Sequence, residues 1–573
     1  MPSPDLPEFA VKVGGADLAP ALRDDVMRID VHEEVGKLAR ASILLRNWDD
    51  ETQSVTHSEA GVFEPGAEVE VQLGWNGELE TVFEGVVVEL AGSFTGQCQP
   101  AVEVGCRCKG ALLAGARRSR VAEDVADGDV VSTIASDAGL QADAEAGAQQ
   151  PFAVQRAVTD WEYLRSRAEA LGMALYVRGD SLVFKPPAAS AAAALTLEWT
   201  ANVLELSLRR DLNGQPENAT AAGWDPAALE PADAEAAPGD AGVSTGARPT
   251  LDADLGTAGW AGLAERIPRT GAVAPDELDL LAKGRMRAAV LAHGSGRGRI
   301  LGMPSLRIDS VLAVERVGDA LGGSFYVSAV RHVFDTSGYT TEFQLGLPVP
   351  LRPAAPPRLP GLAVGIVDDI DDPDSWGRVR VSFPWLDPDV DSVWARLALP
   401  AAGPDRGFFF IPEVGDEVVV GFLDGDLRYP VVLGSLWNGS HAPPESLDAQ
   451  KNDVRALVSR SGHKLTFDDG DSAPLVQVET AAGQTLTLDD TSGSEKIELK
   501  DKTGNTLTMS SDGIALEAAS GDLSLKAGSG KIAIEGMQLE AKASSAAKIE
   551  SSATLDIKAS ATLGLKGATV NIN

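Results

Sequence analysis

Several short runs in this chain carry residue types that do chemistry, and each can be tested against the spacing its chemistry needs. His32-Glu33-Glu34-Val35-Gly36 begins as a zinc-protease helix does, but Gly36 stands where the second imidazole ligand has to be. Gly528-Ser529-Gly530-Lys531 has the lysine of a phosphate loop, yet Leu525 replaces its first glycine and Ile532 its magnesium-binding hydroxyl. Gly294-Ser295-Gly296-Arg297-Gly298-Arg299 lacks the third glycine of a dinucleotide fingerprint. Cys98, Cys106 and Cys108 could ligate zinc with a fourth partner, but they also fit as small apolar side chains in a reducing compartment. The carboxylates from Asp368 to Asp374 lack the ligand spacing and glycine of a calcium loop, so they read as a solvated hairpin tip. No catalytic residue, cofactor or metal is expected.

The elements around these runs explain more. The chain has 573 residues, enough for three or four domains, with 84 acidic and 49 basic residues and a net charge of -35. Such a surface repels a polyanion, which excludes nucleic acid as a main partner. Aromatics make up only 5% and glycines number 59, favouring turns and small-residue β structure. The N-terminus shows no basic and apolar leader, and no apolar run approaches the ~18 residues of a membrane span. Assembly in the cytoplasm is expected, with any action outside the cell reached by another route.

Residues 1–187 read as a β-barrel with a helical insertion. Glu68–Gly74 and Val82–Val88 alternate as strands about the turn Trp75-Asn76-Gly77. Asp129–Ala135 and Thr159–Arg165 have helical spacing, with Thr159 or Asp160 as N-cap. Residues 188–347 read as a second barrel, with a helix over 275–291 and a flexible loop over 225–250. A proline-rich linker follows at 348–360. Five short strands in 361–440 predict a small closed OB-type barrel, since closure removes exposed edges. Acidic residues outnumber basic ones there, so Trp376, Trp385 and Trp394 read as packing residues and not as base-stacking ones. Residues 441–453 form a second linker.

From Val454 the composition changes. Phe467 is the last aromatic, and Ser461-Gly462-His463-Lys464-Leu465-Thr466-Phe467 recurs as Ala482-Gly483-Gln484-Thr485-Leu486-Thr487-Leu488 and as Thr503-Gly504-Asn505-Thr506-Leu507-Thr508-Met509. Shorter units continue at Ile514/Leu516, Leu523/Leu525, Ile532/Ile534, Leu555/Ile557, Leu563/Leu565 and Val570/Ile572. One residue separates each pair, so both members share a strand face. A strand with two apolar residues on one face builds no core alone; stacked strands do, if something closes the other side. Either one chain winds into a solenoid or three chains share an axis. The narrow stripe favours the trimeric prism, with ~13 strands at ~4.8 Å making a rod roughly 60 Å long. Its needle core is expected at Leu465, Phe467, Leu486, Leu488, Leu507, Met509, Leu523, Leu525, Ile532, Ile534, Leu563 and Leu565.

The run Gly365-Ile366-Val367 through Gly377, Arg378, Arg380, Pro384 and Trp385, then Trp394, Pro412, Gly415, Asp416 and Glu417, resembles the OB module of phage-tail-like spikes. It is similar to that of the VgrG family of type VI secretion and of extracellular contractile injection systems. The resemblance covers nearly the whole chain and implies a mainly β fold: a paired-barrel hub with a few helices, an OB barrel and a triple-stranded β-helix. It implies a homotrimer whose hub adapts a sixfold inner tube, beside baseplate proteins, to a threefold membrane-piercing needle. It also implies a PAAR-repeat tip protein on Thr569, Val570, Asn571, Ile572 and Asn573, and possible effector cargo. The sequence ends at a strand, so effectors are expected on other chains. No histidine follows His463, so no His-ligated iron tip is expected. The compact hub is closer to extracellular particles; a type VI spike delivered with effectors is the alternative. A β-helix carbohydrate-active enzyme is a remote third reading, needing carboxylates across one cleft. Segment 441–453 is too short for a lysozyme domain.

Overall fold

The computed structural model describes residues 6–58, 61–96, 99–226, 228–244, 249–260, 262–269, 274–347, 361–384 and 392–572. It is mainly β, with 43% strand and 13% helix. Two compact units are present, Met1–Ser440 and His441–Asn573.

In the first unit, strands from both predicted barrels form one 13-stranded sheet. Val26–Glu34, Arg40–Arg46, Ala101–Cys108, Glu78–Ser93 and Glu68–Trp75 lie side by side and antiparallel. Gly323–Asp335, Gly338–Leu345, Gly294–Leu301 and Val203–Arg210 form the second set. The sets join where Gly323–Asp335 pairs with Val26–Glu34. Alternation drives this: Ile29, Val31, Ile43, Leu45 and Val104 point to one face and are fully buried. Asn76 and Gly77 both take positive φ, 54° and 87°, as a two-residue hairpin turn of that hand requires.

The helical insertion has the expected caps. Thr159 Oγ1 accepts from the Glu162 amide at 3.1 Å while Glu162 Oε2 accepts from the Thr159 amide at 2.9 Å. That helix, Asp160–Leu171, ends at Gly172 in the left-handed region. It is laid against the longer helix Pro275–His293 at a glycine crossing. A Cβ on Gly284 would stand 2.4 Å from the Leu171 carbonyl carbon, so only glycine fits there.

The stretch over 225–250, expected to be a flexible loop, is folded in its described part. Glu230–Ala236 pairs antiparallel with Asn218–Asp225, and Ala219, Ala221, Ala236 and Ala241 are fully buried in the same core cluster as the long helix. Alanine explains the difference. Its alternation at 232, 234 and 236 is that of a strand, but its weak strand preference and the nearby proline and glycine read as loop.

Ala363–Asp369, Val379–Ser382, Val393–Leu397, Pro430–Ser435 and Glu417–Phe422 close into a five-stranded barrel. Its interior is Val367, Val379, Val381, Ala395, Val418 and Val420. The linker expected at 348–360 lies outside the described residues.

The second unit differs from a uniform stack. Seven strands from Val454–Val458 to Gly513–Glu517 pair antiparallel as a meander. Gly462, Gly483 and Gly504 occupy the same turn position in successive repeats with φ of 88°, 82° and 93°, which explains the recurring glycine. Residues 518–572 carry no strand, so the shorter apolar pairs after Leu516 do not form the expected rungs within one chain. A strand exists only with a ladder partner, and a single chain supplies none there.

Candidate functional site

The repeat region places its apolar residues in two rows across one face of the meander. Leu457, Leu465, Val478, Leu486, Leu499, Leu507 and Leu516 are successive register partners. Phe467, Val476, Leu488, Ile497, Met509 and Ile514 form the parallel row. The opposite face carries Thr466, Gln477, Thr487 and Glu498, with Gln477 Nε2 donating to Thr487 Oγ1 at 3.1 Å.

The expected core residues are aligned but not buried in one chain. Leu465, Leu486 and Leu507 are half-buried, while Phe467, Leu488 and Met509 are exposed. Further along, Leu523, Leu525, Ile532, Ile534, Leu563 and Leu565 are all more than half exposed. Thr569, Val570, Asn571 and Ile572 lie in this open stretch, Ile572 at 83%; Asn573 lies outside the described residues. At ~25 cal/mol per Å², an apolar stripe of this extent is stable only when covered.

The OB residues singled out from sequence hold the barrel's turns and its seat on the hub. Asp372 accepts from the backbone amides of Asp374, Trp376 and Arg378, and Arg378 donates to it through Nε at 3.0 Å and Nη2 at 2.6 Å. Burial would raise the Asp372 carboxyl, but Arg378 and these amides overcome it and hold it at about 2. The hairpin tip is bonded internally at Asp372, while Asp368, Asp371 and Asp374 are exposed, as a solvated tip has them. Gly377 takes φ 73° just after it. The Arg378 guanidinium lies 5.1 Å from the Trp376 ring centre and 5.6 Å from that of Trp394, so these rings hold a cation of their own chain.

Arg380 Nη2 donates to Glu123 at 2.6 Å and ties the barrel to the hub. Asp416 Oδ2 accepts from the Glu413 amide, the Gly415 amide donates to the Val367 carbonyl, and Glu417 accepts from Asn438. Pro412 is half-buried in that turn, Pro384 is exposed at a strand end, and Trp385 lies outside the described residues. Phe408, Phe409 and Phe410, just before the turn, are exposed, Phe409 at 87%.

Sequence reasoning missed the strongest polar junction. Arg428 of the barrel donates through Nη1 to both Glu277 oxygens at 3.0 Å and to Gln150 at 3.0 Å. Arg167 donates to Glu277 at 3.0 Å and, through Nε and Nη2, to Asp127 at 2.9 Å each. Glu277 and Asp127 are 2% and 3% exposed. Burial pushes the Glu277 carboxyl up, but Arg428 and then Arg167 outweigh it and hold it at about 2. Phe152 of the hub packs in the same cluster as the barrel's valines.

The early chemical candidates are accounted for by packing. His32 and Glu33 lie on a strand; Glu33 is buried against Arg307, whose Nε and Nη2 donate to it at 2.8 and 2.7 Å. Cys106 and Cys108 are buried, and burial pushes the Cys106 thiol up to about 12 and raises that of Cys108. Cys98 lies outside the described residues. Among the described residues, no group of three or more His, Cys, Asp or Glu side chains is arranged to hold a metal. No described helix is long and apolar enough to cross a membrane.

Comparison with known proteins matches these parts in order. Residues 3–335 match the Alg8 N-terminal domain, 363–437 the type VI secretion system/phage-baseplate injector OB domain, and 475–573 the phage baseplate V C-terminal trimerisation domain. A type VI secretion system spike protein of Pseudomonas aeruginosa, VgrG2a, is 40% identical over 82 residues, covering 14% of this chain and 10% of that protein. VgrG3 of Vibrio cholerae is 32% identical over 130 residues, covering 21% of this chain and 13% of its own length. The matched segments thus span about a tenth of these curated relatives. A chain of the Francisella PdpA-VgrG complex shares the fold with a TM-score of 0.52 at 10% identity, over 90% of this chain and 80% of that one. Over residues 3–335 the chain belongs to the Alg8 N-terminal domain family, and with an injector OB domain and a phage-baseplate trimerisation domain in the same polypeptide it is a VgrG-like spike.

Proposed function

We propose that this protein is the homotrimeric, non-enzymatic hub and spike of a contractile injection particle. The observation that carries the reading is the apolar stripe of residues 454–572, which one chain leaves uncovered. Three copies about a common axis turn the two rows of the meander inward. They also give the backbone of 518–572, which carries no strand in the single chain, its ladder partners. The trimerisation-domain match over 475–573 supports the same arrangement.

The hub then seats on the inner tube and baseplate, three two-part copies presenting six similar faces to a sixfold tube. The Arg428–Glu277 and Arg380–Glu123 junctions make hub and barrel one stiff piece, which force transmission along a spike needs. The distal residues Thr569–Ile572 are where a PAAR-type tip protein docks, with effectors carried by other chains. The particle is assembled in the cytoplasm and acts in the target envelope. An extracellular particle is favoured by the compact hub.

The type VI spike is the second reading, because the curated relatives matched include type VI secretion system spike proteins. Deletion of the gene separates the two. Loss of free sheathed particles from the culture supernatant supports the first, and loss of contact-dependent killing without such particles supports the second. Native mass measurement tests the trimer, whose expected mass is three times the 59.7 kDa of one chain.

A further inference from the structure

One face of the hub sheet carries a row of guanidinium groups that the spike reading does not use. Register partners share a face, and they run in one line across six strands. Arg299 pairs with Glu342, and Glu342 with Arg331. Arg331 pairs with His32, His32 with Arg40, and Arg40 with Arg107. At ~4.8 Å per strand the row is ~24 Å long. Arg297 sits one step along the same face, opposite Gln344. A groove of about 690 Å³ lies over this row, with Arg40, Arg297, Arg299 and Arg331 in its lining.

The cations of the row divide into two groups. Arg331 is taken by Asp30 at 2.5 Å and Glu342 at 3.3 Å, and Arg299 by Glu205 at 2.5 Å. Arg40, Arg107 and Arg297 are exposed and make no ion pair among the described residues. Burial, followed by the charge of Arg40, pulls the His32 imidazole below its ordinary value although Glu34 opposes them. Two such guanidinium groups in one groove, Arg40 and Arg297, with Arg107 beside Arg40 in the row, are unexpected on a chain of net charge -35.

We propose that this face docks a carboxylate-rich segment of a partner protein, gripped by Arg40, Arg107 and Arg297. Guanidinium forks match separate carboxylates bidentately. A continuous phosphate backbone would instead be drawn across Glu205, Glu342 and Asp30, which interrupt the row. The row also lacks the apolar side chains that constitutive contacts between copies bury, so its occupant is added to the assembled hub. The proposal rests on the sheet face alone and stands or falls separately from the trimeric needle.

The test uses full-length protein and a fluorescein-labelled deca-glutamate peptide followed by anisotropy at 50 mM and 300 mM NaCl. Wild type binds at low salt and weakens at high salt. The R40A/R107A/R297A variant binds at least tenfold more weakly at low salt, with an unchanged thermal unfolding profile, because none of the three side chains has an ion-pair partner to lose among the described residues. Equal binding by wild type and variant overturns the proposal. So does tighter binding of a ten-nucleotide single strand than of the peptide. Absence of wild-type binding at low salt also overturns it, since sister copies would then cover the face.

Discussion

Arg428 and Glu277 lie 151 residues apart in the chain, and one guanidinium nitrogen of the barrel holds both carboxylate oxygens of the hub helix at 3.0 Å. Arg167 closes the same carboxylate from the other side at 3.0 Å. Two cations and one nearly inaccessible anion form a unit that is stable complete and costly when broken.

Glu277→Gln is therefore expected to destabilise the first unit by about 3–5 kcal/mol, because it leaves Arg428 and Arg167 buried with less than their full counter-charge. Equilibrium urea unfolding, followed by Trp fluorescence, measures it. A midpoint unchanged from wild type would show that the junction contributes nothing.

The same group sets an acid limit. Its folded value of about 2 lies below the ordinary 4.5, so its contribution is complete above the unfolded value and is lost as pH falls through the folded one. The shift corresponds to ~3 kcal/mol, withdrawn between about pH 5 and pH 2. Urea midpoints measured at pH 7, 5 and 3 should fall mainly between the last two, and in Glu277→Gln that fall should be smaller.

Gly284 should tolerate no side chain. Gly284→Ala adds a methyl group within 2.4 Å of backbone, so the helices Asp160–Leu171 and Pro275–His293 must part. The expected cost is ~1–3 kcal/mol although alanine is the better helix former. A rise in thermal midpoint would contradict the crossing.

The two buried thiols are expected to be inert. With burial raising both, Cys106 and Cys108 remain protonated at pH 8. Iodoacetamide labelling mapped by mass spectrometry should find them unmodified in native protein and modified in 6 M guanidinium. Native labelling at either site contradicts their placement.

Legibility in the sequence followed the range of each signal. The period-two strands of the barrel, the Thr159 cap, the Trp75-Asn76-Gly77 turn and the glycine-marked repeats are local patterns, and each has its counterpart in the structure. The Glu230–Ala236 strand was hidden because alanine alternation carries little weight against proline and glycine. The joining of Val26–Glu34 to Gly323–Asp335, and the Arg167–Glu277–Arg428 junction, bring together residues far apart in the chain, and no spacing announces them. The apolar pairs after Leu516 read as strand rungs in the sequence, but a single chain forms no strand there, since each rung needs a ladder partner that the chain does not supply.

The central claim is that copies of the chain cover one another's apolar stripe. Analytical ultracentrifugation of wild type beside an L525D/L563D variant tests it most directly. The account predicts a wild-type mass of three chains, and in the variant a distal segment open to trypsin at Lys526 and Lys566. A wild-type monomer at micromolar concentration, with residues 518–572 resistant to trypsin, would contradict it.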